Sequence, residues 1–172
     1  SEKKGLHCYQ GLVSLTSNVE RTLVVYEGSH KLHEKYFADN NIISKNNWCI
    51  INKEYTDKLK NSKKILNIKA GSLVIWDSRT FHQNNYGNGK CEERLVQYVS
   101  YLPKENKANT LAMQKKRRDY YNNRRTTSHW AYPIKVNGLQ PQTYGNNDLL
   151  IDYTKLIVPE LKDIEEKIYK LI

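Results

Sequence analysis

Apolar residues come along this chain in short bursts, several of them β-branched and separated by Gly, Asn and Lys. Residues 10–16 (QGLVSLT) predict a strand, and residues 22–26 (TLVVY) a second one, closed by Glu27-Gly28-Ser29. Residues 30–38 (HKLHEKYFA) then read as a short helix capped by Ser29, carrying Leu32, Tyr36 and Phe37 as its apolar positions. The stretch 39–63 is polar, a surface excursion with an anchor at Trp48-Cys49-Ile50-Ile51 and a short helix over 53–60. The middle carries the strongest β signal. Residues 64–69 (KILNIK) alternate, Ala70-Gly71 turns the chain, 72–76 (SLVIW) follow, and 80–83 continue the strand. Residues 84–90 (NNYGNGK) form a turn-rich loop, and 94–102 (RLVQYVSYL) a long strand that Pro103 ends. Short strands with few helices between them predict a mainly β core with added helices, a sandwich or barrel.

Beyond Pro103 the pattern changes. Residues 109–121 predict a helix, 124–147 are irregular around Pro133, Gly138, Pro141 and Gly145, and 160–172 give the cleanest helical period of all. In that last helix Leu161, Ile164, Ile168 and Leu171 form one apolar stripe, with Pro159 suited to the first turn. A helix this short is marginal alone in water, so the stripe is expected to be buried against the outer face of a sheet, with a partner subunit as the alternative. The expected organisation is a β core over 1–103 and a helical and irregular extension over 104–172 packed on it, one domain overall.

Composition narrows the class. The chain has 172 residues, one domain's worth. Its mean hydropathy is −0.78, and no window approaches 18 consecutive apolar residues, so no spanning helix and no membrane partner are expected. No basic-then-apolar leader opens it. Three cysteines (Cys8, Cys49, Cys91) without CxxC spacing argue against a disulfide framework and for an intracellular, reducing setting. The excess of 28 Lys+Arg over 18 Asp+Glu gives a formal charge of +10, which keeps polyanion binding in play.

Candidate chemistry is sparse. His82 closes a strand pair in GSLVIWDSRTFHQN, and Arg94 opens the next strand; a strand-end His beside an Arg suits a metal and an anionic co-substrate. The plainer reading of His82 is a strand-end imidazole bonded to a neighbouring carbonyl. His30 and His33 have a spacing that can chelate, though one capping and one exposed His is the commoner outcome. His7 and His129 have no partner legible in sequence. The run Lys115, Lys116, Arg117, Arg118, Arg124 and Arg125, around Tyr120 and Tyr121, has the basic-plus-aromatic character of a nucleic-acid surface. The alternative is a solvated helix face. Six basic side chains on one face would favour nucleic acid, and dispersal would not.

Taken in order, CYQGLVSL, VVYEGSHK and KAGSLVIWDSRTFHQN followed by RLVQYVSYLP resemble the phytanoyl-CoA dioxygenase-like branch of the Fe(II)/2-oxoglutarate oxygenases. The likeness is greatest to uncharacterised members found in large DNA viruses, which would place the protein in a host cytoplasm or a virion. It covers residues 7–103, with RTTSHWAYP at 125–133 as a weaker tail. The resemblance implies a double-stranded β-helix of the jelly-roll or cupin type, holding Fe(II) by two His and one carboxylate and leaving room for 2-oxoglutarate and oxygen. His82 matches the distal His ligand. Arg94, twelve positions beyond it, matches the Arg that grips the far carboxylate of 2-oxoglutarate, and Asn84 matches a small polar contact to that co-substrate. Ser29 and His30 fall in the family's GSH loop, an architectural role. The family's His-x-Asp pair would lie ahead of the CYQG strand, at Ser1 or earlier, and His7-Cys8-Tyr9 has no carboxylate in the right place. Two of three metal ligands are therefore expected to be missing, leaving the β-helix incomplete at its N-terminus.

Three functions compete: an oxygenase lineage that this chain represents in part, a non-catalytic β-helix scaffold, and a basic nucleic-acid-binding module. On the first, the chain alone is expected to be inactive, its substrate unreadable because substrate contacts come from variable loops.

Overall fold

The computed structural model describes residues 5–43, 48–88, 92–130, 134, 136 and 138–171. Within them the β-rich bursts become six strands: β1 (Tyr9–Ser14), β2 (Leu23–Tyr26), β3 (Lys63–Ile65), β4 (Leu73–Asp77), β5 (His82–Asn84) and β6 (Val96–Tyr101). They form two three-stranded antiparallel sheets, ordered β4-β1-β6 and β3-β2-β5. Register follows side-chain alternation: Leu12 lies opposite Val74 and Tyr98, while Val25 lies opposite Lys64 and His82. The chain divides into two units, Ser1–Pro103 and Lys104–Ile172.

In the first unit the two sheets face each other across Leu12, Leu23 and Ile68, with Val25, Leu66, Val74, Trp76, Val96 and Tyr98 packed around them. A second apolar layer covers the far side of β3-β2-β5. Helices α1 (His33–Asp39) and α2 (Lys53–Lys58) bring Phe37, Tyr55 and Leu59 onto Tyr26, Tyr36 and Phe81. Tyr36 is buried, and its hydroxyl accepts from the backbone N–H of Asn52 at 2.9 Å. Asn52 in turn caps α2 by accepting from Tyr55 N–H. Gly11 sits at the centre of β1 because no side chain fits there: a Cβ would lie 2.6 Å from the Val74 carbonyl oxygen.

Several expectations shift on the structure. Ser29 does not cap a helix; Gly28, at φ 74°, turns the chain into a single 3-10 turn (Ser29–Lys31), and α1 starts only at His33. Ser29 is instead buried between strands, its hydroxyl donating to the Tyr26 carbonyl and accepting from Phe81 N–H at 2.8 Å. Residues 80–83 do not continue β4. The Asp77 carboxylate accepts from Arg79 N–H and the Asp77 carbonyl from Thr80 N–H, a turn that delays β5 until His82. The expected strand over 64–69 is cut to three residues, and Ile68 pairs alone with Asn18.

The second unit holds α3 (Leu111–Asn122) and α4 (Glu165–Leu171). Thr110 caps α3 by accepting from Met113 N–H. The stripe expected to be buried in the last helix is not buried as a whole: Leu161 and Ile168 are half-buried, while Ile164 is 42% exposed and Leu171 76%. Only Glu165–Leu171 is α-helical, after a 3-10 turn at Lys162–Ile164 that rotates the stripe out of a single line. Its contact with α3 runs through Tyr169 instead, edge-on to Tyr121 and bonded to Asn122 Oδ1 at 3.2 Å. Overall content is mixed, about 30% helix and 20% strand, against the mainly β expectation, because short helices carry the polar stretches on both sides of the strands. Among the described residues no helix is long and apolar enough to cross a membrane. Cys91 and residues 131–133 of the weaker tail lie outside the described residues.

Candidate functional site

Alternation along β5 puts His82 and Asn84 on one face, and both reach toward side chains of the opposite sheet. The His82 ring lies 5.2 Å from the Trp76 ring, centroid to centroid, and Asn84 Oδ1 accepts from the Tyr98 hydroxyl at 3.1 Å. Trp76 is oriented by its own indole N–H, which donates to Gln10 Oε1 at 3.2 Å. One ring contact and one hydrogen bond thus cross between the sheets, one at each end of β5.

His82 Nδ1 lies 2.8 Å from the Thr80 carbonyl oxygen. A carbonyl only accepts, so Nδ1 carries the proton and Nε2 keeps its lone pair. The ring remains exposed on one side while protein crowds the other, and that loss of water pulls its pKa below the usual 6.5, opposed by the Thr80 bond. A neutral imidazole with an oriented Nδ1–H is the form in which histidine ligates a metal. The other ligands are not alongside it. Among the described residues no group of three His, Cys, Asp or Glu is placed to hold a metal ion, so these residues alone do not make an Fe(II) site.

Arg94 is half-buried, and its guanidinium donates to the Tyr98 hydroxyl at 3.3 Å while sitting 6.0 Å from that ring. Arg94, Tyr98 and Asn84 therefore form one hydrogen-bonded chain across the two sheets. Among the described residues Arg94 has no ion pair. Arg79 shows the contrast: Asp77 holds it at 2.7 Å through a two-pronged pair, and the Arg79 bonds keep the Asp77 carboxyl below the usual range. Tyr98 is the member that sequence reasoning missed. Its signal was the spacing four residues beyond Arg94, inside β6 and across from Leu12, visible only once the strand's inner face is known.

His30 and His33 do not build a second centre. His33 stacks on Phe37 at 4.5 Å as the first residue of α1, and burial lowers its pKa. The basic run of the second unit does not gather on one face. Lys115, Lys116, Arg117 and Arg118 are consecutive on α3, and residues about 100° apart encircle a helix. Arg117 bonds Asn109 Oδ1 at 2.6 Å, Arg118 lies over the Tyr169 ring at 5.7 Å, and Lys116 over Tyr120 at 5.6 Å. Arg124 reaches the Pro159 carbonyl, and the Arg125 backbone N–H bonds Tyr120. Comparison with protein-family models, with curated proteins and with solved structures returns no match for this chain.

Proposed function

We propose that the first unit binds a small dicarboxylate of the 2-oxoglutarate type between its sheets, in a domain of the Fe(II)/2-oxoglutarate oxygenase lineage. The observation that carries this reading is Arg94: a half-buried guanidinium with no ion pair among the described residues, fixed in a chain with Tyr98 and Asn84. A planar fork with unused donors is suited to one carboxylate, and the tyrosine hydroxyl beside it supplies a further polar contact. His82 stands two residues from Asn84 on the same strand face, about 7 Å away. That spacing is of the order of a short dicarboxylate's length, so the far end of such a ligand would reach the imidazole.

The order in which the strands are dealt out supports the jelly-roll form of this lineage. β1 goes to one sheet, β2 and β3 to the other, β4 back to the first, β5 to the second and β6 to the first. A jelly roll without two of its eight strands would be dealt out in the same way, which is what supports the reading. The described residues supply one metal ligand, His82, and no reaction step is assigned to them. A scaffold that has kept co-substrate binding without oxidation shares this geometry, and metal-dependent turnover of 2-oxoglutarate separates the two. The dispersal of the basic run around α3 lends no support to the nucleic-acid alternative.

The test is titration of the protein with 2-oxoglutarate, followed in ¹H–¹⁵N spectra at the Trp76 indole and the Arg94 Nε–H. Saturable shifts at both are expected, lost in Arg94→Ala and weakened in Tyr98→Phe. Shifts that are absent in the unmodified protein, or that persist in Arg94→Ala, would sink the reading.

A further inference from the structure

Arg94 precedes β6, which starts at Val96, so no regular sheet pairing fixes it. Its neighbours are fastened instead to one loop, residues 16–21. The Glu92 carboxylate accepts from three consecutive backbone N–H groups, those of Val19 (2.9 Å), Glu20 (3.2 Å) and Arg21 (2.6 Å). The Arg21 guanidinium returns a bond to the Glu92 carbonyl. Buried Asn18 donates from Nδ2 to the Glu93 carbonyl at 2.7 Å, and Leu95 N–H donates to the Thr16 hydroxyl at 3.0 Å. Bonds therefore hold the chain on both sides of Arg94. The same loop also holds the end of β5, because the Glu20 carbonyl accepts from Asn85 Nδ2 at 2.7 Å. Glu20 thus gives its N–H to the residue two before Arg94 and its carbonyl to the residue after Asn84.

We infer that Glu92, supported by Asn18, is a positioning residue for ligand binding, setting the Arg94 guanidinium at a fixed reach from Asn84 and Tyr98. This rests on the dicarboxylate reading above. Successive amides converging on one point make a concavity suited to a full negative charge, and Glu92 fills it without contacting the ligand itself. Among the described residues Arg94 is left without an ion pair, although two glutamates precede it in sequence. A displacement of about 1 Å at such a group is enough to lose much of its binding.

The experiment uses the full chain, 2-oxoglutarate as probe, and the Arg94 Nε–H resonance, assigned by its loss in Arg94→Lys. Glu92→Ala is expected to raise Kd roughly tenfold or more and to broaden that resonance. Glu92→Gln, which keeps an acceptor and the shape, should restore part of both and guards against a fold failure in the alanine variant. Leu59→Ala, in the helix layer, should lower Tm yet leave Kd and the resonance unchanged. The inference is overturned if Glu92→Ala lowers only Tm, as Leu59→Ala does, or leaves the Arg94 resonance sharp. If the unmodified protein and Arg94→Lys both fail to bind 2-oxoglutarate, the dicarboxylate reading falls. The Arg94 resonance in Glu92→Ala then still decides the positioning claim: broadening supports it, and no change overturns it.

Discussion

His82 owes its protonation state to two opposed effects, the loss of water around the ring and the Thr80 carbonyl bond, and the first is the larger. Its pKa in the fold lies below the unfolded value of 6.5, so the sign is fixed. Above pH 6.5 both states are neutral and the full stability is present; as pH falls below 6.5 the unfolded chain takes up the proton first, and stability is lost. A ¹H–¹⁵N titration should place the His82 midpoint below 6.5 with Nδ1 protonated at neutral pH. A midpoint above 6.5, or a proton on Nε2, contradicts the geometry. Gly11 makes the second residue-scale case. Since a Cβ there would sit 2.6 Å from a strand carbonyl, Gly11→Ala should destabilise by about 1–3 kcal/mol, measured by urea unfolding. A change within experimental error would mean that β1 and β4 slide apart freely.

At the level of elements, α4 shows how a clean helical period can mislead. Leu161, Ile164, Ile168 and Leu171 repeat at helical spacing, yet the 3-10 turn before Glu165 offsets Leu161 and Ile164 from the remaining two. Tyr169, outside that stripe, makes the ring contact with Tyr121 and the bond to Asn122. Ile168→Ala should therefore cost less than about 1 kcal/mol, whereas Tyr169→Ala should unravel the last helix. Helical circular dichroism at 222 nm checks both, and the reverse ranking would restore the buried stripe. The turn from Asp77 to Thr80 is the opposite lesson. Two short-range bonds moved β5 by two residues relative to the hydrophobic pattern, which is what brings His82 to the strand's first position.

Over the whole molecule, apolar burial is unevenly shared. Of the buried hydrophobic residues described, seven belong to the first unit and Ile134 alone to the second. Meanwhile Leu150, Leu156, Ile157 and Val158 stand exposed in the second unit. Apolar burial is the main source of stability, so the second unit should be the weaker one. Heating should remove α3 and α4 first, seen as an early loss at 222 nm, before the near-ultraviolet signal of Trp76 is lost. Trypsin should cut within 115–125 before it attacks the sheets. A single transition coincident by both probes would show that the two units melt together.

By itself the sequence determined where most strands and helices fall, though not all of their bounds, since alternation and turn residues act over a few positions. The bursts at 10–16, 22–26, 72–76 and 94–102 all became strands, and Thr110 and Asn52 cap helices as their types favour. It also singled out His82, Arg94 and Asn84, through residue order and resemblance. Only the tertiary structure joined Asn84 to Arg94, because the link is Tyr98, whose side chain crosses from one sheet to the other. Only it showed Ser29 tying β2 to β5 and Glu92 feeding three amides of a loop more than seventy residues away. Local pattern records which way a side chain leans from its own strand. What that side chain meets depends on a second strand, placed by burial of the core between the sheets, and no short window of sequence contains both.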